Sequence, residues 1–271
     1  MTRTEKLDQF RSLHERSGAF VFPNPWDAGS AKILTSLGFE ALATTSAGFA
    51  FSIAGRDNIG EMDRDAVLEN ARLIVEATHL PVAADLIDGF GSDPATCAKT
   101  IELAVGVGLV GGSIEDATSD RNAPIYPLNQ AVERVAAAAE VSRQLGFVLT
   151  ARAEEWLYLE SDLDATINRL NAFANAGADV LYAPGLPSLE AISEVCANVP
   201  KPVNVVMGLR EPIWSVAELR DAGVKRISVG GSLARAALGA LVNAAHEIHD
   251  EGTFTYSVEA LPSSEIKRLL E

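Results

Sequence analysis

The sequence predicts a (β/α)8 barrel of the TIM type, an α/β fold, and three observations carry the prediction. Eight short runs of β-branched or apolar residues alternate with longer stretches of helical periodicity, which implies parallel strands joined by helices. A glycine stands one to three residues ahead of five of those runs, where the left-handed end of a helix favours it. The chain has 271 residues, the length of one such barrel.

The elements follow in order. Residues 4–17 read as a helix laid across the bottom of the barrel. The first strand is Ala19–Phe22, after which Asp27 suits the N-cap of the first barrel helix. Gly38 precedes the second strand, Ala41–Thr45, and the third is Val82–Asp85. Gly108, Gly146 and Gly177 introduce Leu109–Glu115, Phe147–Arg152 and Asp179–Ala183. Val203–Val206 and, after Gly223, Arg226–Gly230 complete the eight. Between the fifth and sixth strands, Ile167, Leu170, Phe173 and Ala174 repeat at helical spacing. From about residue 253 a tail ends in a helix over Leu261–Glu271, which either packs on its own barrel or exchanges with a neighbouring subunit. No linker or low-complexity stretch divides the chain, so residues 1–271 read as one domain with the barrel at about 19–250. An open doubly wound sheet is the alternative, but no Gly-x-Gly-x-x-Gly turn follows the first strand.

Composition narrows the functional classes. Apolar residues make up 48% of the chain, an ordinary globular value. No apolar run reaches the roughly 18 residues of a membrane span, and the polar opening Met-Thr-Arg-Thr-Glu-Lys-Leu-Asp lacks the form of a secretory signal. A cytoplasmic protein without a membrane partner is expected. A net charge of −15 argues against nucleic acid, which draws on excess lysine and arginine. Cys97 and Cys196 sit among apolar helical neighbours and are expected as small hydrophobes, not as a disulfide.

Active sites of such barrels lie at the C-terminal strand ends. Here the second strand ends in Thr45-Ser46-Ala47-Gly48, the third in Asp85 and the fourth in Glu115-Asp116. The fifth ends in Arg152, followed by Glu154 and Glu155, and the seventh carries Asn204. Acids at the ends of buried strands are costly unless compensated. Several converging acids with one arginine point to a hard divalent cation with oxygen ligands and an anionic substrate held by Arg152. The competing reading is plain salt bridging among the same residues. No histidine falls at a strand end: His14 and His79 belong to peripheral helices, and His246 and His249 are expected to face solvent. Proton transfer then falls to a carboxylate, a metal-bound water or Tyr126 on the loop after the fourth strand. Gly230-Gly231-Ser232 could cradle an anion but reads better as a tight turn.

The segment Pro23-Asn24-Pro25-Trp26-Asp27-Ala28-Gly29-Ser30-Ala31 resembles the opening of the isocitrate lyase and phosphoenolpyruvate mutase superfamily. So do Thr44–Gly48, Ala84–Gly91, Ser113–Asp116, Thr150–Arg152 and Pro202–Asn204, in the right order and at barrel spacing. The resemblance implies that Asp85 binds Mg²⁺ (or Mn²⁺) directly while Glu115 and Asp57 hold its waters. It implies that Ser46, with the backbone N–H groups of Ala47 and Gly48, binds the carboxylate of a 2-oxo acid. Arg152 would steady the developing charge, Asn204 would make a polar contact with the substrate, and Arg152, Glu115 and Asp57 would be the catalytic set. A homo-oligomer, tetramer or dimer, is implied as well.

Four positions depart from the family pattern. Ile87 stands where a second acid is usual, and Asp88, one residue on, could replace it only if the chain bends. The loop at 117–126 lacks the cysteine and histidine of the isocitrate lyases. Arg121 and Asn122 only loosely match the lysine and asparagine of the phosphonomutases. Thr44 stands where several members have an aromatic residue. The expected activity is a Mg²⁺-dependent lyase making or breaking a C–C bond beside a 2-oxo or 2-hydroxy carboxylate through an enolate. The alternatives are a phosphonomutase or P–C hydrolase, and a barrel that binds 2-oxo acids without turnover.

Overall fold

The computed structural model describes residues 1–271. Helix α1 (Arg3–Glu15) opens with a reciprocal cap between Thr2 and Glu5. Then come β1 (Phe20–Val21), α2 (Ala28–Ser36), β2 (Leu42–Ala43), α3 (Ser46–Ser52) and α4 (Arg64–Ala77). They lead to β3 (Val82–Asp85), α5 (Pro94–Gly106), β4 (Gly111–Glu115), α6 (Leu128–Leu145) and β5 (Val148–Arg152). The second half runs through α7 (Glu155–Tyr158), α8 (Leu163–Ala176), β6 (Val180–Tyr182), α9 (Leu189–Asn198) and β7 (Val203–Val206). It ends with α10 (Val216–Asp221), β8 (Arg226–Ser228), α11 (Ser232–His246) and α12 (Ser263–Leu270).

All eight strands pair in parallel, in the order β1-β8-β7-β6-β5-β4-β3-β2. The seam between β1 and β2 is bridged by Ala43 N–H donating to Pro23 O at 3.1 Å. Asn24 ties it further: its Nδ2 donates to Thr44 O at 2.8 Å while its Oδ1 accepts from Val229 N at 2.8 Å and Gly230 N at 2.9 Å. This is the expected (β/α)8 barrel. The Gly230 turn spends two N–H groups on Asn24, as a tight turn does. The strands beside the seam are shorter than the apolar runs suggest. In β4 the ladder starts at Gly111, because Leu109 N–H still closes α5 by donating to Ala104 O at 3.2 Å.

Asp27 is the N-cap of α2, accepting from Ser30 N at 2.7 Å. Among the five glycines ahead of strands, Gly177 shows why no other residue serves. Its φ is +110°, and a Cβ there would lie 2.9 Å from the Ala139 Cβ. Helix α1 closes the N-terminal end of the barrel, as expected, and puts Phe10 against Phe20, Phe22 and the strand starts at Val110 and Val148. Gly111 admits it, since a Cβ at that position would come within 2.8 Å of the Phe10 ring. The larger apolar cluster fills the layer between strands and helices, with Ile101, Leu149, Leu170 and Phe173 at its centre.

The tail departs from a simple decoration. Helix α12 packs on α2 of the same chain: Leu269 is buried, and Lys32 Nζ donates to Leu270 O at 2.6 Å. Only Ala234 of α11 is buried.

Candidate active site

A cavity of about 450 Å³ opens at the C-terminal ends of the strands. At its base lies Arg226 from the start of β8, buried and without a carboxylate partner. Its Nε donates to Asn204 Oδ1 at 2.8 Å, its Nη2 to Thr150 Oγ1 at 2.8 Å, and its guanidinium stacks 4.6 Å from the Phe22 ring centre. Burial pushes this guanidinium down to about 9. His14 reaches the same layer. Its Nε2 lies 3.3 Å from Arg226 Nη1, and burial, then Arg226, push it down to about 3, so it is neutral. A helix placed at the periphery thus sends one side chain to the barrel floor.

Above this layer Arg152, at the end of β5, joins three acids from neighbouring elements. Nη1 lies 3.2 Å from Asp85 Oδ1 at the end of β3, Nη2 3.1 Å from Glu115 Oε2 at the end of β4, and Nε 2.7 Å from Glu154 Oε1. The guanidinium plane lies over Tyr182 at 4.9 Å. Asp85 also accepts from Ser46 Oγ at 2.8 Å, which ties the β2 end to the β3 end. Asp57 joins from the rim loop before α4 and lines the same cavity.

Three carboxylates therefore meet one guanidinium with Asp57 facing the same cavity, and burial makes the charges of Glu115 and Glu154 expensive. Burial raises Glu115 well above the ordinary carboxylate range despite Arg152, with Glu154, Asp85 and Asp57 adding to the rise. Glu154 is raised by burial against the pull of Arg152, and Asp57 by burial and then by Asp85. Burial pulls Arg152 down, but Glu154, Glu115 and Asp85 outweigh it and hold its proton well above the usual value. The salt bridges of the competing reading are present, yet one arginine cannot neutralise four acids. The donor set is hard oxygen with surplus negative charge, which suits a divalent cation. No three acids stand together as a ready cage. Mg²⁺ does not require one, because it keeps several waters and takes one or two carboxylates.

Other expected members are placed differently. Ser46 and Ala47 line the cavity; Gly48 does not, and its N–H is taken by Thr45 Oγ1 at 3.2 Å. Asn204 lines the cavity, where its Oδ1 accepts from Arg226 Nε and its Nδ2 donates to Ser228 Oγ at 3.1 Å, so it braces the floor with one amide N–H to spare. Asp88, by contrast, does not join the acids and is absent from the cavity lining. Ile87 takes φ +52°, a conformation that costs a β-branched residue about 1–3 kcal/mol. This turn leaves Ile87 on the cavity wall and carries Asp88 toward Arg134, which moderates the rise that burial imposes on it. Arg134 is buried between the β3 and β4 loops, donating to the carbonyls of Asp88 and, at 3.2 Å, Glu115. Tyr126 stacks on Arg134 at 4.1 Å and is absent from the cavity lining.

Glu154, expected among the converging acids but given no role of its own, and Tyr158, which the sequence does not signal, both line the cavity. Glu154 is held by its N–H to Asp116 Oδ1 at 2.8 Å, and Asp116 is fixed in turn by Arg169. Tyr158 of α7 stands at the mouth, pushed up to about 12 by burial and then by Glu115 and Glu154, so it keeps its proton at neutral pH. The run Arg152-Ala153-Glu154 signalled Glu154 through its two-residue spacing at a strand end; nothing local signalled Tyr158. Of the β4 loop, Ser119 and Arg121 line the cavity and Asn122 does not. No histidine, cysteine or lysine lines it.

Fold and site define a (β/α)8 barrel whose cavity carries carboxylates, tyrosines and arginines, Arg152 being the one that pairs the acids at the strand ends. The chain belongs to the phosphoenolpyruvate phosphomutase family, which residues 10–249 match, and is an enzyme of the isocitrate lyase and PEP mutase superfamily. It is similar to a crystal structure from Burkholderia cenocepacia J2315 described only as a lyase/mutase, with 53% identity, a TM-score of 0.95, and 98% of this chain and 95% of that one covered. It is 28% identical to the 2-methylisocitrate lyase of Escherichia coli K12, covering 90% of this chain and 84% of the relative. It is 26% identical to the 2,3-dimethylmalate lyase of Eubacterium barkeri, covering 79% and 76%. No helix is long and apolar enough to cross a membrane.

Proposed function

We propose that this enzyme is a Mg²⁺-dependent lyase that makes or breaks a C–C bond next to a 2-oxo or 2-hydroxy carboxylate unit. The observation that carries this reading is the Arg152 hub, in which one guanidinium meets Asp85, Glu115 and Glu154 at the barrel mouth. Asp85, Glu115 and Asp57 would hold the cation, and Mn²⁺ could replace Mg²⁺. When bound, the cation supplies fixed positive charge that stabilises an enolate.

The chain's own groups do the rest. Ser46 and the backbone at Ala47 hold the substrate carboxylate at the β2 end, while Arg152 stabilises the charge developing on its oxygens. Glu115 and Asp57, raised above the ordinary carboxylate range, can accept a proton from a substrate hydroxyl. Tyr158 offers an O–H to the carbon released. Because Arg121 reaches the cavity without Asn122, the phosphonomutase alternative gains no matched pair.

Calorimetric titration of oxalate, which mimics the pyruvate enolate, tests the reading. Binding that requires Mg²⁺, disappears with EDTA and is abolished in Asp85→Ala supports it. No binding with or without the metal overturns it in favour of a site that has lost its metal centre.

The proposed setting is the cytoplasm, with small carboxylates as the only substrates and neither nucleic acid nor membrane as partner. We further propose a homo-oligomer, a tetramer or dimer, built on α11. Leu238, Leu241 and Val242 of that helix are 40%, 63% and 51% exposed, an apolar face that a second subunit would cover. Light scattering at micromolar concentration should give at least twice the chain mass, and Leu241→Glu should reduce it. A monomer in the wild type would remove the proposal.

A further inference from the structure

A second cavity of about 400 Å³ lies beside the first. The segments following β6 and β7 frame it, residues 183–187 and 207–214, with Ile192 of α9 behind them. Leu186, Val205, Met207 and Trp214 give it a mainly apolar wall. Its charged residues other than Arg152 are Arg210 and Glu211, and both are exposed. The two cavities share Arg152, Leu157, Tyr182, Val206 and Leu209, so they adjoin along these side chains. Leu157 and Leu209 at that junction are 45% and 36% exposed, apolar surface that nothing in the chain covers.

The topology aims a ligand at this space. In an eight-stranded ring numbered in order, β2 stands opposite β6. A substrate whose carboxylate rests on Ser46 at β2 and whose reacting carbon lies by Arg152 at β5 points its far end toward the β6 and β7 loops. An apolar cavity of about 150 Å³ already accommodates benzene, so the space suffices for a branched alkyl or phenyl group.

We propose that this second cavity is the subsite for an apolar substituent on the substrate, and that the substrate is a 2-hydroxy or 2-oxo acid bearing a branched alkyl or aryl group. The proposal rests on the main cavity being a carboxylate site. Each buried CH₂ is worth about fourfold in affinity, which sets the size of the expected effect.

The test is calorimetric titration, in Mg²⁺, of oxalate, pyruvate, 4-methyl-2-oxopentanoate and 2-oxo-3-phenylpropanoate. The two bulky acids should bind at least about tenfold more tightly than pyruvate. They should also change the tryptophan emission of the wild type, a response that Trp214→Phe should lose. Met207→Trp, which fills the subsite, should erase the preference and leave oxalate affinity unchanged. If that variant does not fold, the wild-type series and the Trp214 emission decide. Bulky acids binding no better than pyruvate, to a protein that binds oxalate, would overturn the subsite and leave the lyase reading intact. Failure of every ligand, oxalate included, would overturn both.

Discussion

Replacing Arg152 with lysine is expected to lower kcat/KM by about a hundredfold to a thousandfold, the usual cost of losing one preorganised charge donor. The three nitrogens of the guanidinium each address a different acid: Asp85, Glu115 and Glu154. Lysine offers a single point charge on a flexible stem, cannot span three carboxylates, and leaves at least one of them without its partner. The stability cost should be visible as well, because removing one member of a buried ion pair costs about 3–5 kcal/mol. Arg152→Met should therefore melt at a lower temperature than Arg152→Lys, and Mg²⁺ should recover part of the difference by supplying the missing positive charge. Steady-state kinetics with thermal melts of both variants check this. Lysine activity within threefold of the wild type would remove Arg152 from its assigned role.

The second large effect is a pH-dependent response to metal. Glu115, Glu154 and Asp57 have their carboxyl groups raised in the folded state, with burial as the leading cause. Between the ordinary carboxylate range and those raised values the folded protein holds more protons than the unfolded chain. Without metal, these three groups therefore lose stability as pH rises through that window. A divalent cation binds the ionised form and reverses the trend, so the Mg²⁺-induced rise in Tm should be small near pH 5 and grow toward pH 8. Taking the difference with and without Mg²⁺ at each pH cancels the surface acids, such as Glu40 beside Arg16, which titrate alike in both. Asp85→Ala should flatten the difference. A Mg²⁺ increment that stays constant from pH 5 to 8 would show that these carboxylates do not hold the cation.

Much of this protein was written locally. Strand and helix periodicities, the N-cap at Asp27 and the left-handed glycines at Gly38, Gly108, Gly146, Gly177 and Gly223 are decided by neighbours a few residues away, and all appear in the structure. Because parallel strands carry their C-terminal ends to one face, Ser46, Asp85, Glu115 and Arg152 could be gathered into one mouth from their positions alone.

Tertiary structure decided where each side chain turns after its strand ends. The positive φ of Ile87 diverts Asp88 to Arg134, and the same Arg134 draws Tyr126 away from the cavity. Arg226, rising from the floor, donates to the amide oxygen of Asn204, a residue that sequence position alone offered to the substrate. Asp116, expected among the mouth acids, instead fixes Glu154 through its backbone N–H, and α7 delivers Tyr158. Each outcome depends on a partner tens of residues away, and no local pattern encodes it. The second cavity follows the same logic. Its walls come from two loops and a helix whose residues become neighbours only when the barrel closes, so the chain order that fixes the fold leaves the shape of the substrate to the assembled molecule.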